Sequence, residues 1–230
     1  MKKENVGGVP GNILGMLADL CHKLQHGTIT PEELGRFLRR EEPFLKDYRV
    51  KYALTDWENF YRNFFGIEKD FFNLPVPELK EGFNRLIVVV LGLTLNRVYD
   101  KCAEKFSCWR YIDDLDKATV KNDRDLSHGS YAILVRNRIE ADEELKDLSA
   151  NDLKEKNILG ITLLERLLYE LKYFSETGKH LDIRTVTLCL GSRDSDGNVP
   201  AVDWHDDKLR VDRHSPVARY DELRVRAAVS

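Results

Sequence analysis

The sequence lacks an excess of charge of either sign: its 230 residues carry 36 lysines and arginines against 39 aspartates and glutamates, a formal net charge of −3. A nucleic-acid coat or a polybasic membrane anchor needs one sign in excess, to release counterions or to attract lipid, and both are excluded. Long apolar runs are missing too. The longest, residues 86–91 with Leu93 beyond Gly92, falls far short of the ~20 residues of a spanning helix. The start Met1-Lys2-Lys3-Glu4 leads into Gly7-Gly8-Val9-Pro10-Gly11 and not into the apolar stretch of a secretory signal, so a cytoplasmic location is expected, or export by a route the sequence does not show.

Cysteine is sparse. Cys21, Cys102, Cys108 and Cys189 are scattered, unlike the framework of a disulfide-stapled domain. The one close pair, Cys102 and Cys108, fits neither a CxxC redox motif nor a zinc knuckle. All four are expected to be reduced core residues. Catalytic signatures are absent as well: there is no Gly-rich phosphate loop with its lysine, no GxSxG elbow and no HExxH helix. No cofactor and no metal is expected. Three weaker constellations keep two readings each. His180 and Asp182 either orient an imidazole or serve as cap and surface. His205, Asp206 and Asp207 either ligate a metal or form a solvated turn. Asp194-Ser195-Asp196-Gly197-Asn198 either resembles a calcium loop, without the glutamate that an EF-hand needs, or is a polar turn.

What is present is enough apolar residue to build a core, 42% of the chain, in a length that allows one domain and a smaller appendage at about 150 residues per domain. Ile13, Leu14, Leu17, Leu20, Cys21 and Leu24 recur at helical spacing up to Gly27. Thr30, Pro31 and Glu33 then form a second helix start, with Leu34, Phe37 and Leu38 ahead of Pro43. Residues 1–47 read as a helical hairpin, and its balanced charge argues against a DNA-reading helix-turn-helix. Trp57, Phe60, Tyr61, Phe64 and Phe65 share one helical side up to Gly66, and Pro75 and Pro77 mark a linker or domain edge.

From residue 81 the pattern is mixed α and β. Residues 86–91 predict a strand covered on both faces. Thr94 caps a helix that turns Leu95, Val98, Tyr99, Cys102 and Phe106 inward. Residues 108–112 and 131–135 predict strands, and the leucine-poor, charged stretch 142–156 predicts a surface segment. Thr162 and Glu165 form a capping box for a helix closed by Gly178, and a strand follows at 185–190.

The tail alternates strictly. Val202 and Trp204 point one way and Ala201, Asp203 and His205 the other; after an Asp206-Asp207 turn, Leu209 and Val211 point in and Lys208, Arg210 and Asp212 out. Leu223, Val225, Ala227 and Val229 are expected inward, with Arg224 and Arg226 outward. Inward anchors holding chemically diverse outward groups form a surface like a paratope, set against the plainer reading of a solvated sheet face.

Residues 148–156, 177–182, 188–193 and 223–230, with the 27–31 turn, are similar to a family of uncharacterised bacterial proteins along nearly the whole chain. The tail further resembles the variable regions of diversity-generating retroelement target proteins, which have a C-type-lectin fold related to formylglycine-generating enzymes. Trp204, Pro216, Arg219 and the closing 223–226 strand match in order. That strand reads Leu-Arg-Val-Arg where the family more often shows Gly-Phe-Arg. In such systems adenine-directed mutagenesis acts on Asn codons. Ala201, Asp203, His205, Arg210, Asp212, His214, Ser215, Val217, Ala218 and Tyr220 are reachable from them; Trp204, Lys208 and Glu222 are not.

The residue pattern and the resemblance together imply an α+β chain with a helical hairpin at 1–47 and an aromatic helix and linker at 48–80, both read from the spacing, and, from the resemblance, a C-type-lectin-like domain of short antiparallel strands at 81–230. Within it, 199–226 is a diversified face for a protein or glycan ligand, with no catalysis, nucleic acid or membrane involved. An enzyme akin to the formylglycine-generating oxidases would need paired cysteines, and Cys189 alone lies in the last third of the chain. The remaining alternative is an intracellular scaffold acting through the N-terminal hairpin.

Overall fold

The computed structural model describes residues 11–39 and 42–230; the Met1-Lys2-Lys3-Glu4 start and the 7–10 stretch that bear on a leader lie outside them. The chain divides into two compact units, one ending at Ala53 and the other running from Leu54 to Ser230. The first holds helices α1 (Gly11–Gln25) and α2 (Pro31–Leu38) and the beginning of α3 (Glu42–Phe65). The Thr30–Glu33 capping box is formed in both directions. Pro43, expected to end a helix, instead lies in the first turn of α3, where its missing N–H would have had no partner within the helix. Cys21 is exposed, contrary to the core role expected of it, because α1 leaves that side uncovered.

The second unit is α+β. The end of α3 buries Trp57, Phe60, Tyr61 and Phe65. The Trp57 indole donates to Leu86 O and the Tyr61 hydroxyl to Val88 O, so these polar tips satisfy carbonyls of β1 (Arg85–Val89). β1 pairs antiparallel with β4 (Tyr131–Val135) and is buried from Leu86 to Val89. Phe71, within the proline-punctuated stretch, is buried against Tyr61, so part of that stretch belongs to the core. Helix α4 (Leu95–Ala103) is capped by Thr94 and buries Leu95, Val98, Tyr99 and Cys102; Phe106 lies beyond its end.

Five strands form the main sheet in the order β2 (Cys108–Arg110), β8 (Lys208–His214), β7 (Val199–His205), β5 (Val186–Leu188), β9 (Leu223–Val225). The centre is antiparallel, but β2 runs parallel to β8 and β9 parallel to β5. The sheet is therefore mixed rather than wholly antiparallel, because its edges come from segments remote in the chain. A second ladder joins β3 (Thr119–Asn122), which follows the short helix α5 (Leu115–Ala118), to β6 (Ser192–Asp194).

Two helices cover the sheet. The stretch 142–156, expected on the surface, forms a 3-10 turn (Glu143–Leu145) and helix α6 (Ala150–Glu155). Ala150 and Leu153 of α6 are fully buried with Leu188, Val199, Ala201, Leu223 and Val225. Two positions one turn apart are all that a six-residue helix needs to plug a sheet, and a count of leucines over the whole stretch dilutes that signal. Helix α7 (Leu163–Thr177) keeps its Thr162–Glu165 box and its left-handed Gly178 cap at φ 66°. Its burial extends beyond the apolar stripe to Glu165, Arg166, Glu170 and Lys172. Close backbone crossing accounts for the glycines beside it: a Cβ on Gly160 would lie 2.5 Å from Leu190 Cβ, and one on Gly191 3.0 Å from Gly160 O.

Candidate functional site

The β7–β8 hairpin has the expected register, with Trp204 opposite Leu209 and His205 opposite Lys208. Asp206 and Asp207 take φ values of 50° and 55°, the left-handed pair of a type I′ turn. Aspartate tolerates this region because its short side chain bonds locally. Val202, Leu209, Val211, Leu223 and Val225 are buried, as the alternation requires.

The other face of the hairpin divides along its length. Near the base, Ala201 lies under α6 at 1% exposure and Asp203 is 5% exposed, so neither belongs to an open surface. Alternation reports which side a residue takes and not whether a second layer covers that side. On the facing strand Arg210, Asp212 and His214, which stand opposite Asp203, Ala201 and Val199, are half-buried, and His205 beside the turn is exposed. In the loop that follows, Ser215, Val217 and Tyr220 are exposed, while Ala218 packs against the α6 cluster. The loop is tied down: the Asn151 N–H at the start of α6 donates to Pro216 O, and Arg219 Nη2 donates to Asp152 at 2.7 Å. His214 and Tyr220 meet edge to face.

Asp203 and Arg210 are cross-strand partners, with Nε and Nη2 donating to the two carboxylate oxygens at 3.2 and 2.7 Å. Donating to the Asp203 carboxylate raises the Arg210 guanidinium above its ordinary value. Beside this fork stands Trp109, paired with Arg210 through the parallel β2–β8 ladder and 44% exposed. Sequence reasoning identified strand 108–112 but not its neighbour. A parallel contact across a hundred residues leaves no local pattern; the one available signal was a tryptophan on a three-residue strand too short to bury it.

Beneath the hairpin lies a charged cluster that the sequence did not reveal. Asp182 is wholly buried and accepts from Arg166 Nε at 3.0 Å, from Arg226 Nη2 at 2.7 Å, and from the Thr185 and Thr187 hydroxyls. Burial works to raise the Asp182 carboxyl, but Arg226 and Arg166 prevail and hold it below the usual range. Arg226, expected outward, is 1% exposed and also donates to the Arg138 and Ile139 carbonyls; the 138–142 segment covers the face of β9 that alternation left open. Glu170 links Arg166 to His180 Nδ1 at 2.8 and 2.9 Å. His180 in turn stacks on Trp204, ring centroids 3.3 Å apart and planes 6° apart. His180 and Asp182 are therefore internal struts and not a cap or a surface pair. Trp204, expected inward, is half-buried, because the hairpin tip overhangs the end of α7.

Asp194 begins the polar turn, where it accepts from the Asp196 and Asn198 N–H groups and from Arg213 Nη1 at 2.8 Å. Burial pushes up the Cys102 and Cys189 thiols and takes Cys108 to about 12, so all three are weak nucleophiles at neutral pH. Among the described residues no helix is long and apolar enough to cross a membrane. No family model matches the chain, and no curated protein or solved structure matches it significantly.

Proposed function

We propose that this is a non-catalytic binding protein. In this reading His205, one face of β8 and the loop to Tyr220 form a diversified ligand face on a C-type-lectin-like scaffold, the target of a diversity-generating retroelement. The face comprises His205, Arg210, Asp212, His214, Ser215, Val217 and Tyr220, with Trp109 beside them. One observation carries the reading: half-buried and exposed side chains of varied chemistry follow one another along β8, from the turn to the loop at its base, on a backbone held by neighbouring strands on both sides. Rigid backbone under adaptable side chains is what a surface must have to change its sequence and still fold. Tryptophan, tyrosine and arginine are the residue types that dominate binding energy at protein interfaces, which favours a protein ligand over a glycan.

Two experiments test it. A complete gene locus should hold a near-copy of codons 199–226, differing at adenines, close to a reverse-transcriptase gene; its absence removes the retroelement. Capture from a protein and glycan array should be lost in a His205→Ala, Val217→Ala, Tyr220→Ala variant with an unchanged melting temperature. Capture retained by that variant removes the face.

A second reading, an adaptor acting through an N-terminal helical hairpin, is favoured by the exposure of Ile13, Met16 and Leu17 on α1 and of Leu38 on α2. Deletion of residues 1–47 with loss of partner capture would select it.

A further inference from the structure

Away from the hairpin face, a cavity of about 220 Å³ opens between β3, β6 and the end of α6. Three cations line it. Lys121 and Arg193 are direct partners in the antiparallel β3–β6 ladder, and like charges placed opposite each other on a ladder destabilise it. Lys154 of α6 adds a third positive charge, and Asp123 is the one carboxylate in the wall. Among the described residues none of the three cations forms an ion pair.

Arg193 differs from Arg124, Arg166, Arg210 and Arg213, each of which grips a carboxylate. Arg193 spends only Nη1, on the Leu190 and Ser192 carbonyls, and its Nε and Nη2 donate to no described residue. Burial accordingly pushes its guanidinium down, with Asp123 too weak to reverse it. The two carbonyls fix the plane of the fork while leaving one edge open, the geometry suited to a bidentate phosphate contact. Three positive charges less one negative match a phosphate monoester, which carries about −1.5 to −2 at neutral pH. Ile158, Leu159 and Leu190 supply an apolar wall for the organic group attached to it.

We propose that this cavity binds the phosphate group of a small phosphorylated metabolite, with Arg193 as the bidentate donor and Lys121 and Lys154 on either side. The site is independent of the hairpin face and uses none of its residues.

Calorimetric titration with phenyl phosphate and with inorganic phosphate, at constant ionic strength, tests it. The intact protein should bind both, phenyl phosphate more tightly because its ring meets the apolar wall. A Lys121→Ala, Lys154→Ala variant, altered at two exposed positions, should bind about tenfold more weakly. A Lys121→Arg, Lys154→Arg variant should recover the affinity, and Tyr220→Ala should leave it unchanged. No binding to the intact protein, equal affinity in the alanine variant, failure of the arginine variant to recover it, or loss in Tyr220→Ala would each overturn the assignment.

Discussion

The Arg166–Asp182–Arg226 cluster and the Asp203–Arg210 pair use the same two chemical groups in different surroundings. In the first, every side chain is sealed from water and each arginine is further engaged, Arg166 by Glu170 and Arg226 by backbone carbonyls. In the second, the carboxylate is nearly buried while the guanidinium keeps a third of its surface open. The difference separates a sealed fastening from a half-open one. The buried cluster joins α7, the 182–187 segment and β9, so losing one member strands an unpaired charge. The outer pair ties β7 to β8 close to the hairpin turn, where water still reaches the guanidinium.

Breaking the cluster should have the largest effect. Arg226→Ala leaves Asp182 short of a partner in a dry site, and truncations of this kind cost about 3–5 kcal/mol; urea denaturation measures it. A cost under about 1 kcal/mol, the range of exposed pairs, would erase the contrast between the two regions. Next comes Trp204→Ala. Full truncation of a core tryptophan costs about 3–5 kcal/mol, and because Trp204 is half-buried the expected loss lies below that range, with His180 the first side chain to be released.

Arg210→Ala should be worse than removing both partners. It leaves the Asp203 carboxylate nearly buried and unpaired, a penalty of about 1–3 kcal/mol, whereas Asp203→Ala with Arg210→Ala removes charge and countercharge together. A double-mutant cycle in which the double variant is the least stable would show that the pair is mere decoration. The smallest stability effects belong to His205→Ala, Val217→Ala and Tyr220→Ala, each within about ±0.5 kcal/mol.

Acid sharpens the same contrast. The folded Asp182 carboxyl sits below its ordinary value of 3.8. Its stabilisation is therefore complete above that pH and is lost as pH falls through the depressed folded value. In denaturation series below pH 3.8, Asp182→Asn should lose stability less steeply than the intact protein, although it starts from a lower level. Equal slopes would mean that Asp182 is not held down by the two arginines.

Local patterns were legible wherever a few neighbouring residues set the outcome. The capping boxes at Thr30 and Thr162, the Gly178 cap, the apolar strand at 86–91 and the Asp206-Asp207 turn depend on hydrogen bonds and dihedrals within one or two turns of chain. Three misreadings share one cause: alternation puts Ala201, Asp203 and Arg226 on an open face, because it sorts side chains into two directions and carries no information about what arrives from elsewhere to cover one of them. The candidate face was correspondingly half legible: the outward direction of its β8 side chains follows from the strand pattern, while the burial of Ala201 and Asp203 and the presence of Trp109 do not.

By itself, then, the sequence determined the charge balance, the caps and turns, the α+β class and the alternation of the hairpin, since each depends on composition or on contacts a few residues apart. Tertiary structure alone decided that α6 roofs the base of the hairpin, that β2 brings Trp109 beside Arg210, that Lys121 stands opposite Arg193, and that two arginines meet Asp182 in the interior. Each of these joins segments tens of residues apart, and which charge meets which is settled only when the layers pack and exclude the water between them.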